Sequence, residues 1–237
     1  MGNGFCRYDL RTTETEAARA FYVEAIGLDF EDGSTLRVWP LHEQARARGA
    51  PAHWLGQIAV TDLETTLREL IGRGSQLLGP SPLRGDDNEA FAILRDPCEA
   101  VVAVRQTLRD KSSEPVVWHQ LHTRDLERSW ALYAEIFGWS HAGAIDLSEL
   151  AGEHRTFRWK GAGKPVGSMA NTARLPGVHP HWLFHFPVSD LESTLANVSA
   201  RGGRALPPML LPNGDRVAAC EDPQGAAFGL LQPAAGD

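Results

Sequence analysis

The chain of 237 residues is long enough for one large domain or two of ordinary size, and its 43% hydrophobic and 22% charged residues are typical of a globular protein rather than a disordered one. The net charge of −7, with scattered lysines and arginines, disfavours nucleic acid as a partner. The sequence contains no apolar run of the roughly 18 residues that a membrane helix needs, and its first residues lack the pattern of a signal peptide. Three widely separated cysteines suit a reducing compartment, so we expect a cytoplasmic protein without a membrane partner.

Four stretches in chain order share one pattern, in which a strand is followed by an acidic residue and then by a helix. The helices are predicted within TTETEAARAFYVEAIGL (12–28), TDLETTLRELIGRG (61–74), TRDLERSWALYAEIFGW (123–139) and SDLESTLANVSARGG (189–203). Each begins with an acidic residue placed to cap the helix N-terminus, namely Glu14, Asp62, Asp125 and Asp190. Further strands follow each helix, so the sequence predicts four strand–helix–strands modules, which we number one to four.

The modules repeat with constant spacing. HWL (53–55), TDLETTL (61–67) and RG (73–74) recur, with one offset, as HWL, SDLESTL and RG at 181–183, 189–195 and 201–202. The repeat predicts a first domain at 1–108 and a second at 115–234, each of two modules, with a linker at 109–114 inside a polar stretch. Two arrangements stay open: the modules pair within each half, which the linker favours, or module one pairs with four and two with three.

The first strand of each module has two different faces, because alternate residues point to opposite sides of a sheet. One face is mainly apolar, includes Trp54 and Trp182, and is predicted to pack against the helix of its module. The other face carries polar groups, which a dry core cannot hold without partners. We predict that this second face lines a cup that binds a ligand, the alternative being a solvated sheet face; its residues are Arg7, Asp9, Gln57, Trp118, Gln120, His122 and His185.

The four helix stretches, together with the closing segments RDPCEAVVAV (95–104) and EDPQGAAFGLL (221–231), resemble the vicinal oxygen chelate superfamily. This is the group of glyoxalase I, bleomycin-resistance proteins and extradiol dioxygenases, and the resemblance is strongest to its two-domain bacterial members. It extends over nearly the whole chain. It implies an α+β fold of four tandem βαβββ modules, in which each pair curves a mixed sheet around a cup and the helices lie on the outer face.

The resemblance also implies a divalent metal, held by a His or Gln from each first strand and a Glu from each last strand. The matching positions in this chain carry no such ligand: Arg7, Leu55, Trp118, Leu183, Ala103 and Gly229. We therefore expect neither the usual metal nor another cofactor. A metal site at other positions would have to use His179 and His181.

Three functions are compatible with these observations. The first is a metal-independent enzyme or ligand-binding protein, in which Arg7 holds a carboxylate or phosphate and Asp9 or His185 is the candidate catalytic base. The second is a drug-sequestering protein that does not turn over its ligand. The third is a metal-dependent lyase or extradiol-type dioxygenase with non-standard ligands. In each case the partner is a small molecule, and the protein is expected to be a monomer or a homodimer.

Overall fold

The computed structural model describes residues 4–31, 34–47, 49–107, 115–147 and 152–235, so the predicted linker at 109–114 lies outside the described residues. Module one comprises β1 (Phe5–Thr12), α1 (Thr15–Ile26), β2 (Leu36–Pro40) and the short α2 (Glu43–Ala47). Module two comprises β3 (His53–Val60), α3 (Leu63–Gly72), β4 (Gln76–Leu77), β5 (Leu83–Arg84), β6 (Ala90–Arg95) and β7 (Val101–Gln106).

The second half follows the same order. Module three comprises β8 (Trp118–His122), α4 (Leu126–Phe137), β9 (Ser140–Asp146), β10 (Glu153–Arg158) and β11 (Gly167–Ala170), followed by a 3₁₀ turn (Asn171–Arg174). Module four comprises β12 (His181–Pro187), α5 (Leu191–Ala200), β13 (Arg204–Ala205), β14 (Met209–Leu210), β15 (Arg216–Glu221) and β16 (Ala227–Gln232). Among its described residues, module one has one strand after its main helix, where the other modules have three or four.

The strands form two mixed sheets, which confirms the predicted α+β fold of tandem modules. The first has the order β2-β1-β3-β7-β6-β4, with β5 on β6, and the second has the order β13-β15-β16-β12-β8-β11-β10-β9, with β14 on β15. In every module the first strand pairs in parallel with the last one described. A parallel pair needs a crossover connection, which the helix of each module supplies. Side chains of the first and last strands therefore lie side by side on one face.

The compact packing of the chain defines two units. Unit 1 contains residues 1–6, 56–112 and 119–182, which are most of modules two and three. Unit 2 contains residues 7–55, 113–118 and 183–237, which are most of modules one and four. Sheet pairing thus follows the halves of the chain, whereas compact packing groups module one with four and module two with three.

Unit 1 has an aromatic core with a polar network inside it. Trp139 stacks on Phe157 with ring centroids 4.7 Å apart. The Tyr133 hydroxyl accepts a hydrogen bond from Trp182 Nε1 at 3.2 Å and donates one to Asp96 Oδ2 at 3.0 Å. Because all three side chains are buried, the network satisfies polar atoms that would otherwise destabilise the core.

Unit 2 repeats this arrangement with other residues. The Tyr22 hydroxyl accepts a hydrogen bond from Trp54 Nε1 at 2.9 Å. Burial of Tyr22 is the larger reason, and the nearby charge of Asp222 the smaller one, that its pKa lies well above its ordinary value. Phe228 packs against the Tyr22 ring with centroids 5.2 Å apart. The two tryptophans predicted for the apolar face are therefore core residues that also anchor a buried tyrosine.

The acidic residues before the helices act as caps at three of the four positions. Asp62, Asp125 and Asp190 each accept the backbone N–H of the residue three positions on, at 3.0–3.1 Å. The prediction is wrong for Glu14, which stands at the N-cap of α1 but makes no side-chain cap hydrogen bond. Glutamate is one methylene longer than the residues preferred at this position. At its C-terminal end, α1 is capped by Gly27, whose left-handed backbone closes the last turn.

In the part of the chain that the structure describes, no helix has both the length and the apolar character required to cross a membrane.

Candidate functional site

The face predicted to line a cup is largely buried. Four of its seven residues are at most 5% exposed, and the other three are half-buried. Burial at those four positions rules out a simple solvated face there. The residues belong to different units, which are described separately: Gln57, Gln120 and His122 in unit 1, and Arg7, Asp9, Trp118 and His185 in unit 2.

In unit 1, one face of β3, β7 and β6 combines polar, small and apolar side chains. Gln57 of β3 lies beside Ala103 of β7, and Ala59 lies beside Arg105. The next strand places Ile93 opposite Ala103 and Phe91 opposite Arg105. Because paired residues share a side of the sheet, these side chains form one surface. We call it the Arg105 face, and it consists of Gln57, Ala59, Phe91, Ile93, Ala103 and Arg105.

Arg105 lies on the middle strand of this face and is 1% exposed. Its two terminal nitrogens donate to Asp87 Oδ1 at 3.3 and 3.1 Å, and its Nε lies 3.7 Å from Glu89 Oε2. Its guanidinium carbon lies 5.4 Å from the centre of the Phe91 ring. Sequence analysis missed Arg105, although it follows Ala103 at strand spacing and therefore shares the face of a position that the resemblance had singled out.

A second group in unit 1 contains stacked imidazoles. His122 Nδ1 lies 2.6 Å from Thr172 Oγ1, and the ring of His122 stacks on that of His181 at 4.7 Å. His181 Nδ1 donates to the backbone oxygen of His179 at 2.7 Å. This nitrogen is therefore not available to a metal in the two-histidine site considered from the sequence. Gln120 lies on the same sheet, beside Ser168.

Desolvation lowers the pKa of His181 below its ordinary value of 6.5, so stability should depend on pH. The folded state binds fewer protons than the unfolded state between the lowered pKa and 6.5, and its stability is therefore lost as the pH falls through that window. We expect His181→Phe to lose this part of the acid sensitivity, measured by urea unfolding between about pH 8 and about pH 5. The exposed His141→Phe is the control, and equal slopes for His181→Phe and wild type would contradict the expectation.

In unit 2, the corresponding face of β1 carries a buried charge cluster. Asp9 Oδ1 accepts from Arg7 Nε at 3.0 Å, and Asp9 Oδ2 accepts from an Arg11 terminal nitrogen at 2.9 Å. The Arg11 guanidinium lies 5.9 Å from the centre of the Trp39 ring. Arg11 also helps to lower the pKa of His53, after the larger effect of burial. Sequence analysis therefore located the cluster but did not predict that a carboxylate would bind two arginines within it.

His185, also in unit 2, fills the space beside Gly229. The two residues are register partners on β12 and β16. A β-carbon added at Gly229 would lie far inside van der Waals contact with the His185 ring. Any side chain at 229 would therefore displace this ring.

The second half of the chain carries the decisive similarity to known proteins. Residues 116–230 match the family model described as Glyoxalase/Bleomycin resistance protein/Dioxygenase superfamily. That part of the chain is therefore similar to this superfamily. The first half repeats the same modules and completes a second sheet.

Two relatives are similar in sequence over most of the chain. CFP32 of Mycobacterium tuberculosis (strain CDC 1551 / Oshkosh), whose name gives glyoxylase as a provisional activity, is 28% identical over 95% of this chain and 93% of its own. The anthracycline biosynthesis protein DauV of Streptomyces sp. (strain C5) is 26% identical over 80% of this chain and 70% of its own.

The Mn(II)-bound glyoxalase from Novosphingobium aromaticivorans has a TM-score of 0.63 at 11% identity, covering 98% of this chain and 82% of its own. The 2,3-dioxygenase LapB from Pseudomonas sp. KL28 has a TM-score of 0.63 at 12% identity, covering 99% of this chain and 94% of its own. At these identities, likeness to solved structures shows the fold alone.

The residues at the superfamily's metal positions do not fit a metal ion. Gly229 stands where a last-strand glutamate is expected, and the His185 ring already occupies the space of that side chain. Leu183, in the same unit, is a buried apolar residue without a lone pair. Among the described residues, no group of three or more His, Cys, Asp or Glu side chains is arranged to hold a metal.

Proposed function

We propose that the chain binds a small organic molecule on the polar face of its sheet, without the divalent metal typical of the superfamily. The observation that carries this proposal is the composition of the Arg105 face. A buried guanidinium and the buried amide of Gln57 lie among the small residues Ala59 and Ala103 and the apolar Ile93. Ligand sites combine a largely apolar lining with a few placed polar groups in this way.

Unit 2 provides a separate candidate site at Arg7, for which we keep the proposed role of binding a carboxylate or phosphate. Asp9 is a poor candidate for a catalytic base, because both its oxygens accept hydrogen bonds from guanidinium groups. His185 is the better candidate base in this unit. Trp118, Gln120 and His122 stay proposed ligand contacts of their own units.

The proposal covers binding with or without turnover. A drug-sequestering protein returns its ligand intact, whereas an enzyme converts it. The name of the relative DauV favours aromatic natural products as the first molecules to screen. A metal-dependent lyase or dioxygenase with non-standard ligands is the alternative. We place the protein in the cytoplasm as a monomer or homodimer, with neither nucleic acid nor a membrane as partner.

The test is a thermal-shift screen of small carboxylates and aromatic natural products, with each hit incubated and recovered. We expect at least one ligand to raise the melting temperature of wild type and Gln57→Ala to weaken its binding about tenfold, the effect of one buried hydrogen bond. Gln76→Ala, on the exposed edge strand β4, is the matched control and should leave binding unchanged.

Two results would count against the proposal. One is a screen in which no ligand stabilises the protein. The other is stoichiometric retention of Fe, Mn, Ni or Zn after incubation and desalting, with binding that depends on the retained metal. The second result would support the metal-dependent alternative.

A further inference from the structure

The hairpin between β5 and β6 closes over Arg105. Gly85 N donates to Glu89 O at 3.0 Å, and Asn88 N donates to Gly85 O at 3.1 Å, so residues 85–89 form a tight turn. A β-carbon added at Gly85 would lie 2.5 Å from an Arg105 terminal nitrogen and 2.7 Å from Asp87 Oδ1. The guanidinium therefore lies directly against the backbone of this hairpin, and a side chain at position 85 would displace it or the Asp87 carboxylate.

The hairpin holds the guanidinium with imperfect geometry. A single oxygen of Asp87 accepts from both terminal nitrogens, at 3.1 and 3.3 Å. Arg105 Nε is buried and has no hydrogen-bond acceptor among the described residues, because Glu89 Oε2 is too distant at 3.7 Å. A mobile carboxylate can engage two guanidinium nitrogens with two oxygens at about 2.7–2.9 Å. A bound organic acid would thus satisfy Arg105 better than the hairpin does.

Burial and strand pairing indicate which element would move when a ligand binds Arg105. The Arg105 side chain is 1% exposed, whereas those of Asp87 and Glu89 are 22% and 20% exposed, so the two acids lie nearer to solvent. Strand β5 is tied to β6 through two residue pairs only. Few ladder hydrogen bonds oppose an outward movement of the hairpin tip with Asp87, whereas Thr107 Oγ1 holds Glu89 Oε1 at 2.8 Å and β7 is paired on both sides.

We propose that Arg105 recognises the carboxylate of the bound molecule and that the acidic hairpin 85–89 is a lid whose Asp87 occupies Arg105 until the ligand carboxylate replaces it. This inference rests on the proposed function and specifies its ligand as a small organic acid. The rest of the Arg105 face has a composition that suits such a molecule: Ala59 and Ala103 are small, and Ile93 and Phe91 are apolar. No bond is made or broken in this exchange of ion pairs.

Benzoate is the probe for the test, and inorganic phosphate is the second arm. We expect Asp87→Asn to bind benzoate about tenfold more tightly than wild type, because the competing carboxylate is weakened, and Arg105→Gln to lose binding. Glu64→Gln removes one exposed charge elsewhere in unit 1 and should leave the affinity unchanged, which controls for overall charge. Arg105→Lys keeps the charge but loses the two-nitrogen fork, so it provides a second measurement if Arg105→Gln does not fold.

Amide hydrogen exchange provides an independent readout. Benzoate should accelerate exchange within residues 85–89 as the hairpin leaves Arg105, whereas a purely structural ion pair would show no such change. Equal or weaker benzoate binding by Asp87→Asn would overturn the lid, even where the Gln57 dependence of another ligand upheld the proposed function. Absence of benzoate binding in both proteins, or equal binding of phosphate, would overturn the assignment to carboxylates.

Discussion

Asp9→Ala is expected to lower the free energy of unfolding by about 3–5 kcal/mol, which is the usual cost of removing one partner from a buried ion pair. Asp9 is 1% exposed and accepts hydrogen bonds from both Arg7 and Arg11. Its removal takes a carboxylate away from the buried guanidinium of Arg7. Urea unfolding at neutral pH measures the loss, and the melting temperature should fall by about 10 °C.

The matched control removes a carboxylate from an exposed ion pair. Glu64 and Arg68 form such a pair on α3, with side chains 89% and 70% exposed. Glu64→Ala should change stability by less than about 0.5 kcal/mol, because solvent screens exposed pairs. Similar losses in Asp9→Ala and Glu64→Ala would show that the charge cluster on β1 is not buried as described.

Asp96→Ala should be comparably destabilising, by at least about 3 kcal/mol, since three buried donors lose their acceptor. Asp96 Oδ1 accepts the backbone amides of Cys98 and Ala100 at 2.8 and 3.0 Å, and Oδ2 accepts the Tyr133 hydroxyl. Asp222 closes the equivalent turn in unit 2, where it accepts two backbone amides at 2.8–2.9 Å. Asp222→Ala should therefore lose a similar amount, and a loss below about 1 kcal/mol in both variants would contradict the expectation.

Asp96 also allows the sign of a pH dependence of stability to be predicted. Burial raises the pKa of Asp96 above its ordinary value of 3.8, so the folded state binds its proton more tightly than the unfolded state does. This contribution to stability is present below 3.8 and is lost as the pH rises through the raised pKa. Asp96→Asn should remove this loss of stability with rising pH. Asp62→Asn is the control of opposite sign, because hydrogen bonds from Thr65 lower the pKa of Asp62.

Much of the fold could be predicted from the sequence, because it depends on local and repeated features. Alternation along the first strands identified the face of Trp54 and Trp182, and both are core residues. At three of the four main helices the acidic residue marked the start by capping it, because a capping hydrogen bond spans only three residues. The repeat indicated that the four modules share one architecture.

The candidate site depended on contacts that only the tertiary structure makes. Asp87 and Glu89, which contact Arg105, lie 18 and 16 positions before it in the chain. No local sequence pattern predicts that the hairpin carrying them would meet β7. The His185 ring fills the space beside Gly229 because two strands distant in sequence become register partners. Sequence alone thus determined which side chains of a strand share a face. Folding decided which of those side chains are buried and which charges meet, because burial and ion pairing depend on distances between elements rather than on spacing along the chain.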